Sequence, residues 1–148
     1  MLWLSEMPGT PPSVNQIPLD TRNHTYRRTR DKWMRDIALL MVETGNNLPR
    51  KLEYAECSAL LTFPTRRRRD EGNYRSHLDK WLGDLLQHTR RIPDDTPQYY
   101  KFHNVAFATG KRETTLLIIE YRIPTLGEEC QENETGQNSI KTGTQTKC

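Results

Sequence analysis

The sequence predicts a small single α/β domain in which the elements run β-α-β-α-β-β around one mixed sheet. Three observations carry that prediction. Apolar residues recur at the helical period over 31–44 and 73–88. They alternate at period two over 53–63, as in a strand with one buried face. The length of 148 residues suits one domain and would cramp two.

Residues 1–7, MLWLSEM, suit a short first strand. Pro8, Gly9, Pro11, Pro12 and Pro18 then exclude regular structure, so an extended polar connector is expected to about residue 29. A helix is expected from about Asp31 to Thr44. There Trp33, Ile37, Leu40, Met41 and Thr44 share a face, and Gly45-Asn46-Asn47 supplies the stop. Over Glu53–Phe63, alternation turns Ala55, Cys57, Ala59, Leu61 and Phe63 one way and Glu56, Ser58 and Thr62 the other. Cys57 is thus read as a small buried hydrophobe and not a nucleophile.

The second helix is expected over Asn73–His88. Its apolar stripe is Tyr74, Leu78, Trp81, Leu82, Leu85 and Leu86, with Asn73, His77, Lys80 and Asp84 opposite. Tyr100–Ala108 and Thr114–Arg122 read as a hairpin, and the continuous apolar run Leu116–Ile119 suggests a strand covered on both faces. Residues 124–148 lack periodicity and are expected to be a disordered polar tail, leaving 1–123 as the folded domain.

Composition narrows the function. Only 34% of residues are apolar, so the core is lean and a partner subunit or ligand is expected to matter. No apolar run approaches the roughly 20 residues that span a bilayer, and no signal-peptide pattern opens the chain. Three cysteines, odd in number and without metal-ligand spacing, suit a reduced cytoplasmic setting. The net charge of +3 divides unevenly: four Glu and two Lys give the tail −2, which leaves +5 on residues 1–123. Arg22, Arg27, Arg28, Arg30, Lys32 and Arg35 face only Asp31 locally, and Arg66, Arg67, Arg68 and Arg69 run unbroken. Clustered arginine is the footprint of a polyanion binder.

The densest group is Arg66–Arg69 followed by Asp70-Glu71-Gly72-Asn73 at a strand-to-helix junction. Arginine grips phosphate with a permanently charged fork. Carboxylates beside a polyanion are repulsive unless they hold a cation, and Mg²⁺ takes a few carboxylates plus water and phosphate oxygens. The same residues also suit a surface salt-bridge loop with Asp70 or Asn73 capping the helix. Asp94-Asp95, fixed between Pro93 and Pro97, is a second carboxylate candidate or an ordinary turn. Lys80 is either a phosphate contact or a surface lysine paired with Asp84. No hydrolase triad, histidine ligand spacing or phosphate-cradling glycine loop occurs.

Taken in order, Pro11-Pro12-Ser13-Val14-Asn15, the strand ending at Pro64, Arg66–Arg69 with Asp70, then Asn73 and Asp94-Asp95 resemble the RusA family of Holliday-junction resolvases, over roughly residues 2–122. The resemblance implies a homodimeric, Mg²⁺-dependent endodeoxyribonuclease with an α/β fold. It implies metal ligation by Asp70 and Asp95, with Glu71 available where Gly72 replaces the family's second loop Asp. The family's catalytic Lys position is held here by Ser76, and a one-turn insertion brings Lys80 to that role. The chain is therefore similar to a divergent subgroup with a DEGN loop. On this reading Arg66–Arg69, Arg27, Arg28, Arg30 and Asn73 bind DNA, and the substrate is a four-way or other branched junction in recombination or repair. A non-catalytic nucleic-acid-binding protein that keeps the basic surface is the alternative.

Overall fold

The computed structural model describes residues 1–125, so the tail expected over 124–148 lies, from residue 126 onward, outside the described residues. Six elements follow in the expected order: β1 (Leu2–Pro8), α1 (His24–Met41), β2 (Tyr54–Phe63), α2 (Glu71–His88), β3 (Tyr100–Thr109) and β4 (Thr114–Arg122). The strands make one four-stranded mixed sheet ordered β1-β4-β2-β3. β4 is antiparallel to β1 and to β2, whereas β2 and β3 are parallel. The fold is thus a small α/β domain in which β2-α2-β3 is a crossover unit.

Pairing corrects the hairpin. β3 and β4 are consecutive but lie at different places in the sheet, because β2 stands between them. The segment after β3 turns back over the end of β2, where the Gly110 N–H donates to Phe63 O at 3.0 Å. Nor is β4 covered on both faces. Thr115, Leu117 and Ile119 are buried, while Leu116 and Ile118 are only half-buried on the face away from the helices. An apolar run marks a central strand, but position in the sheet and coverage of its two faces are separate matters.

The core follows from alternation in register. Trp3, Ile119, Cys57 and Phe102 form one buried row across all four strands. Both helices close that face: Trp33, Ile37 and Met41 from α1 and Leu78, Trp81, Leu82, Leu85 and Leu86 from α2 belong to the same apolar cluster. Cys57 is fully buried, and burial pushes its thiol far above the usual range, as a packing residue requires. Among the described residues no helix is long and apolar enough to cross a membrane.

Two local expectations change. The connector ends earlier than residue 29, since α1 begins at His24. Asn23 caps it, its side chain accepting the Thr25 N–H at 2.8 Å and the Tyr26 N–H at 3.3 Å. Tyr26 is the one apolar residue in those first turns, and it is buried with its hydroxyl accepting from Trp81 Nε1 at 3.1 Å. His77 also leaves the polar face assigned to it. It is fully buried, stacks on Trp81 at 4.9 Å, and its Nδ1 meets the Pro12 carbonyl at 2.7 Å. That bond ties the proline-rich connector to α2.

Candidate functional site

Helix α2 carries Glu71, Asn73 and Lys80 with Asp70 as its cap, and its two ends sort the candidates into two groups. At its N-terminus Asp70 is the cap: the side chain accepts the Gly72 N–H at 3.0 Å, satisfying a donor that the helix leaves free. Around this end lies a polar cavity of about 500 Å³, lined among others by Ser13, Asn15, Arg67, Arg68, Asp70 and Asn73. The connector reaches it because Val14 N–H donates to Asn73 O at 2.9 Å. The Pro-Pro-Ser-Val-Asn segment, the arginine run and Asn73 thus come together.

The four arginines are not equivalent. Arg66, Arg67 and Arg68 are exposed. Arg69 lies 3.7 Å above the Phe63 ring and donates to the Thr65 and Arg67 carbonyls at 3.1 and 3.2 Å, so it holds the loop in shape. On α1, Arg27 and Arg28 are exposed, whereas Arg30 pairs with Asp31 at 3.0 Å.

Glu71 serves the fold. One extra residue in β3 shifts the β2–β3 register between Cys57–Phe102 and Ala59–Val105. Glu71 Oε1 accepts the Val105 N–H at 3.0 Å just past this bulge. Arg75 stands 3.8 Å from Glu71 and donates to Phe102 O at 2.7 Å on the other side of it. Together they stitch α2 to the irregular strand.

The second group lies further along α2. A cavity of about 810 Å³ is lined by Arg75, Ser76, Asp79, Lys80, Asp95 and Lys101 over an apolar wall that includes Tyr100 and Phe102. Asp95 comes to α2 because Gly83 leaves space for it: a Cβ placed on Gly83 would sit 3.3 Å from the Asp95 Cβ. Asp79 is one turn back, and its carboxyl is held above the usual range chiefly by burial. The Tyr100 hydroxyl and Arg75 charge oppose that shift, and the Asp95 charge adds to it. Lys80 donates to Asp84 at 3.0 Å, and this bond raises its pKa.

The residues expected to share a metal are therefore not brought together. Thirteen residues of helix separate Asp70 from Gly83, about 20 Å at 1.5 Å per residue, and Asp95 packs at Gly83. Asp70, Glu71 and Asp95 do not fit one Mg²⁺, whose oxygens lie at about 2.1 Å. Asp95 and Lys80 do share a cavity, and the carboxylate that joins them is Asp79, which sequence reading passed over. The available signal was Gly83, since a glycine inside a helix costs about 1 kcal/mol relative to alanine and is tolerated where another group must approach closely. Among the described residues no three His, Cys, Asp or Glu side chains form a metal-holding group. Two carboxylates lining one cavity, Asp79 disfavoured in its charged form chiefly by burial and further by Asp95, are nevertheless the donor type taken by a cation that completes its shell with water and phosphate oxygens.

Comparison with protein-family models and with curated proteins gives no match for this chain.

Proposed function

We propose that this protein is a Mg²⁺-dependent endodeoxyribonuclease acting on branched DNA, four-way junctions included, as a homodimer of the RusA kind, and that Asp79 and Asp95 hold its metal. The observation that carries the reading is the Asp79–Asp95 pair in one cavity with Arg75, Lys80 and Lys101 around it. Acids set inside a basic surface suit a phosphodiester whose charge a cation shares.

In this scheme the exposed Arg66, Arg67 and Arg68, with Arg27 and Arg28, grip backbone phosphates without reading bases. Asn73, Ser13 and Asn15 add polar contacts in the adjoining cavity. Asp79 and Asp95 act as carboxylates, which requires Asp79 to be deprotonated despite its burial. Lys101 and Lys80 offset charge at the phosphate, Lys80 by exchanging its Asp84 contact for phosphate oxygen. When bound, Mg²⁺ would polarise the phosphoryl group and make hydroxide available near neutral pH. A two-fold dimer presents two such cavities to the two-fold symmetry of a four-way junction.

The test uses purified protein, a labelled junction and a linear duplex, with and without Mg²⁺. Paired nicks on the junction, abolished in Asp95→Asn while binding persists, are the expected result. Binding with no cleavage under any divalent ion overturns the enzyme reading and leaves a nucleic-acid-binding protein.

A further inference from the structure

The turn leading from α2 toward Asp94-Asp95 encloses a positive charge that nothing in the described chain neutralises. Arg91 is only 6% exposed. Its backbone is fixed on both sides, the N–H donating to Leu86 O at 2.9 Å and the carbonyl accepting the Leu52 N–H at 2.8 Å. Of its three guanidinium nitrogens, Nε alone is both enclosed and unpartnered. The hydrogen bond from Leu52 lays the segment Pro49–Leu52 beside the turn and brings Arg50 near. Burial, and then the Arg50 charge, lower the Arg91 pKa from its usual value.

Among the described residues no carboxylate forms an ion pair with either arginine. The last carbonyls of α2 are the usual counter-pole for a cation here, and three of the final four are already engaged. Leu85 O accepts the Thr89 N–H and hydroxyl, Gln87 O the Arg90 N–H, and Leu86 O the Arg91 and Ile92 N–H groups. A buried lysine escapes such a position by losing its proton; a guanidinium does not. Two like charges, one of them enclosed, are stable together when an anion sits between them. Phosphate suits the site best, since the guanidinium fork matches its oxygens.

We propose that Arg91 and Arg50 form a phosphate-binding site at the C-terminal end of α2, and that its occupant is a backbone phosphate of the DNA on which this protein acts. The choice of DNA rests on the function proposed above; the phosphate site does not. Its position agrees with that role. Arg66–Arg68 precede α2 and Arg91 follows it, so the two basic groups bracket Asp79 along a helix about 27 Å long. A strand held at both ends crosses the level of the carboxylate pair.

Two measurements on the wild type, Arg50→Ala and Arg91→Met decide it. Arg50 is exposed, so its variant folds, and Met keeps most of the Arg91 stem. The first compares melting in inorganic phosphate with melting in chloride at equal ionic strength. Phosphate is expected to raise the wild-type Tm by a few degrees and to lose that effect in both variants. The second follows junction binding by anisotropy across a salt series. Each variant is expected to weaken binding several-fold and to lower the log–log salt slope by about one. A lowered slope without phosphate protection still assigns the site to backbone phosphate. If the wild type binds no DNA but phosphate protects it through Arg50 and Arg91, the site stands for free phosphate and the nuclease reading fails. Equal phosphate response in all three proteins, with an unchanged salt slope wherever DNA binds, overturns the site.

Discussion

Asp95 rests on Gly83, with 3.3 Å between its Cβ and the position a Gly83 Cβ would take. The same added atom would lie 3.2 Å from Tyr100 Cε1, so a side chain there displaces the turn or the ring by a few tenths of an ångström. Gly83→Ala gains up to about 1 kcal/mol of helix propensity, offset by this crowding. Little change in Tm is therefore expected together with a cleavage loss of about tenfold, because reacting groups tolerate little displacement. Wild-type cleavage in Gly83→Ala would remove Asp95 from the reaction centre.

Asp79 gives a pH signature of known sign. Its folded pKa is raised, chiefly by burial, so the native state binds this proton before the unfolded chain does. The cost of the buried charge is present above the folded pKa and is relieved as pH falls through it toward the unfolded value. Asp79→Asn lacks that cost. Denaturant unfolding is expected to show Asp79→Asn more stable than wild type at neutral pH, with the gap narrowing in mild acid. Cleavage is expected to fall by at least about 100-fold while junction binding persists, as loss of a metal-site group implies. A variant that is less stable at neutral pH and cleaves normally contradicts both statements.

Glu71 separates support from chemistry. Glu71→Gln keeps an acceptor for the Val105 N–H and is expected to behave as wild type in stability and cleavage. Glu71→Ala leaves that N–H unpaired and is expected to cost about 1–2 kcal/mol by denaturation. Cleavage per folded molecule should be unchanged. A Glu71→Gln protein that folds fully and is inactive would return Glu71 to the metal.

The arginine run divides in the same way. Arg66, Arg67 and Arg68 changed singly to Ala are each expected to reduce the salt slope of DNA binding by about 0.9 without changing Tm. Arg69→Ala releases the contact with Phe63 and two carbonyl bonds, and is expected to lower stability by about 1 kcal/mol. Calorimetry beside a salt titration checks the split.

Periodicity made most of the architecture legible. It located the strand ending at Phe63 and the stripe Leu78–Leu86 because burial of alternate or helical faces is a local pattern. It did not find the first turns of α1, where Thr and Arg surround a single buried Tyr26 and the start is signalled only by the cap Asn23. Nor did it find the position of β4, since pairing is chosen by the whole sheet and adjacent strands with a short link also fit a hairpin. In the site, residue type and spacing offered Asp94-Asp95 and Lys80 only as candidates, and the family resemblance singled out Asp95 and gave Lys80 its role. Asp79 was missed because it borders the apolar stripe, and its partner approaches from a turn sixteen residues away.

The place of β4 has a consequence for how the chain is made. Among the described residues the last strand is an inner one, and β1 pairs with no other strand. Until Thr114–Arg122 has left the ribosome, the first strand has no neighbour and the apolar row from Trp3 to Phe102 is incomplete. The nascent chain therefore holds exposed apolar surface through most of synthesis, a state prone to chaperone capture. Its closing step is a long-range insertion of the kind that slows folding. A stop codon ahead of β4 would not trim an edge; it would leave the β2–β3 pair and a β1 with no strand beside it.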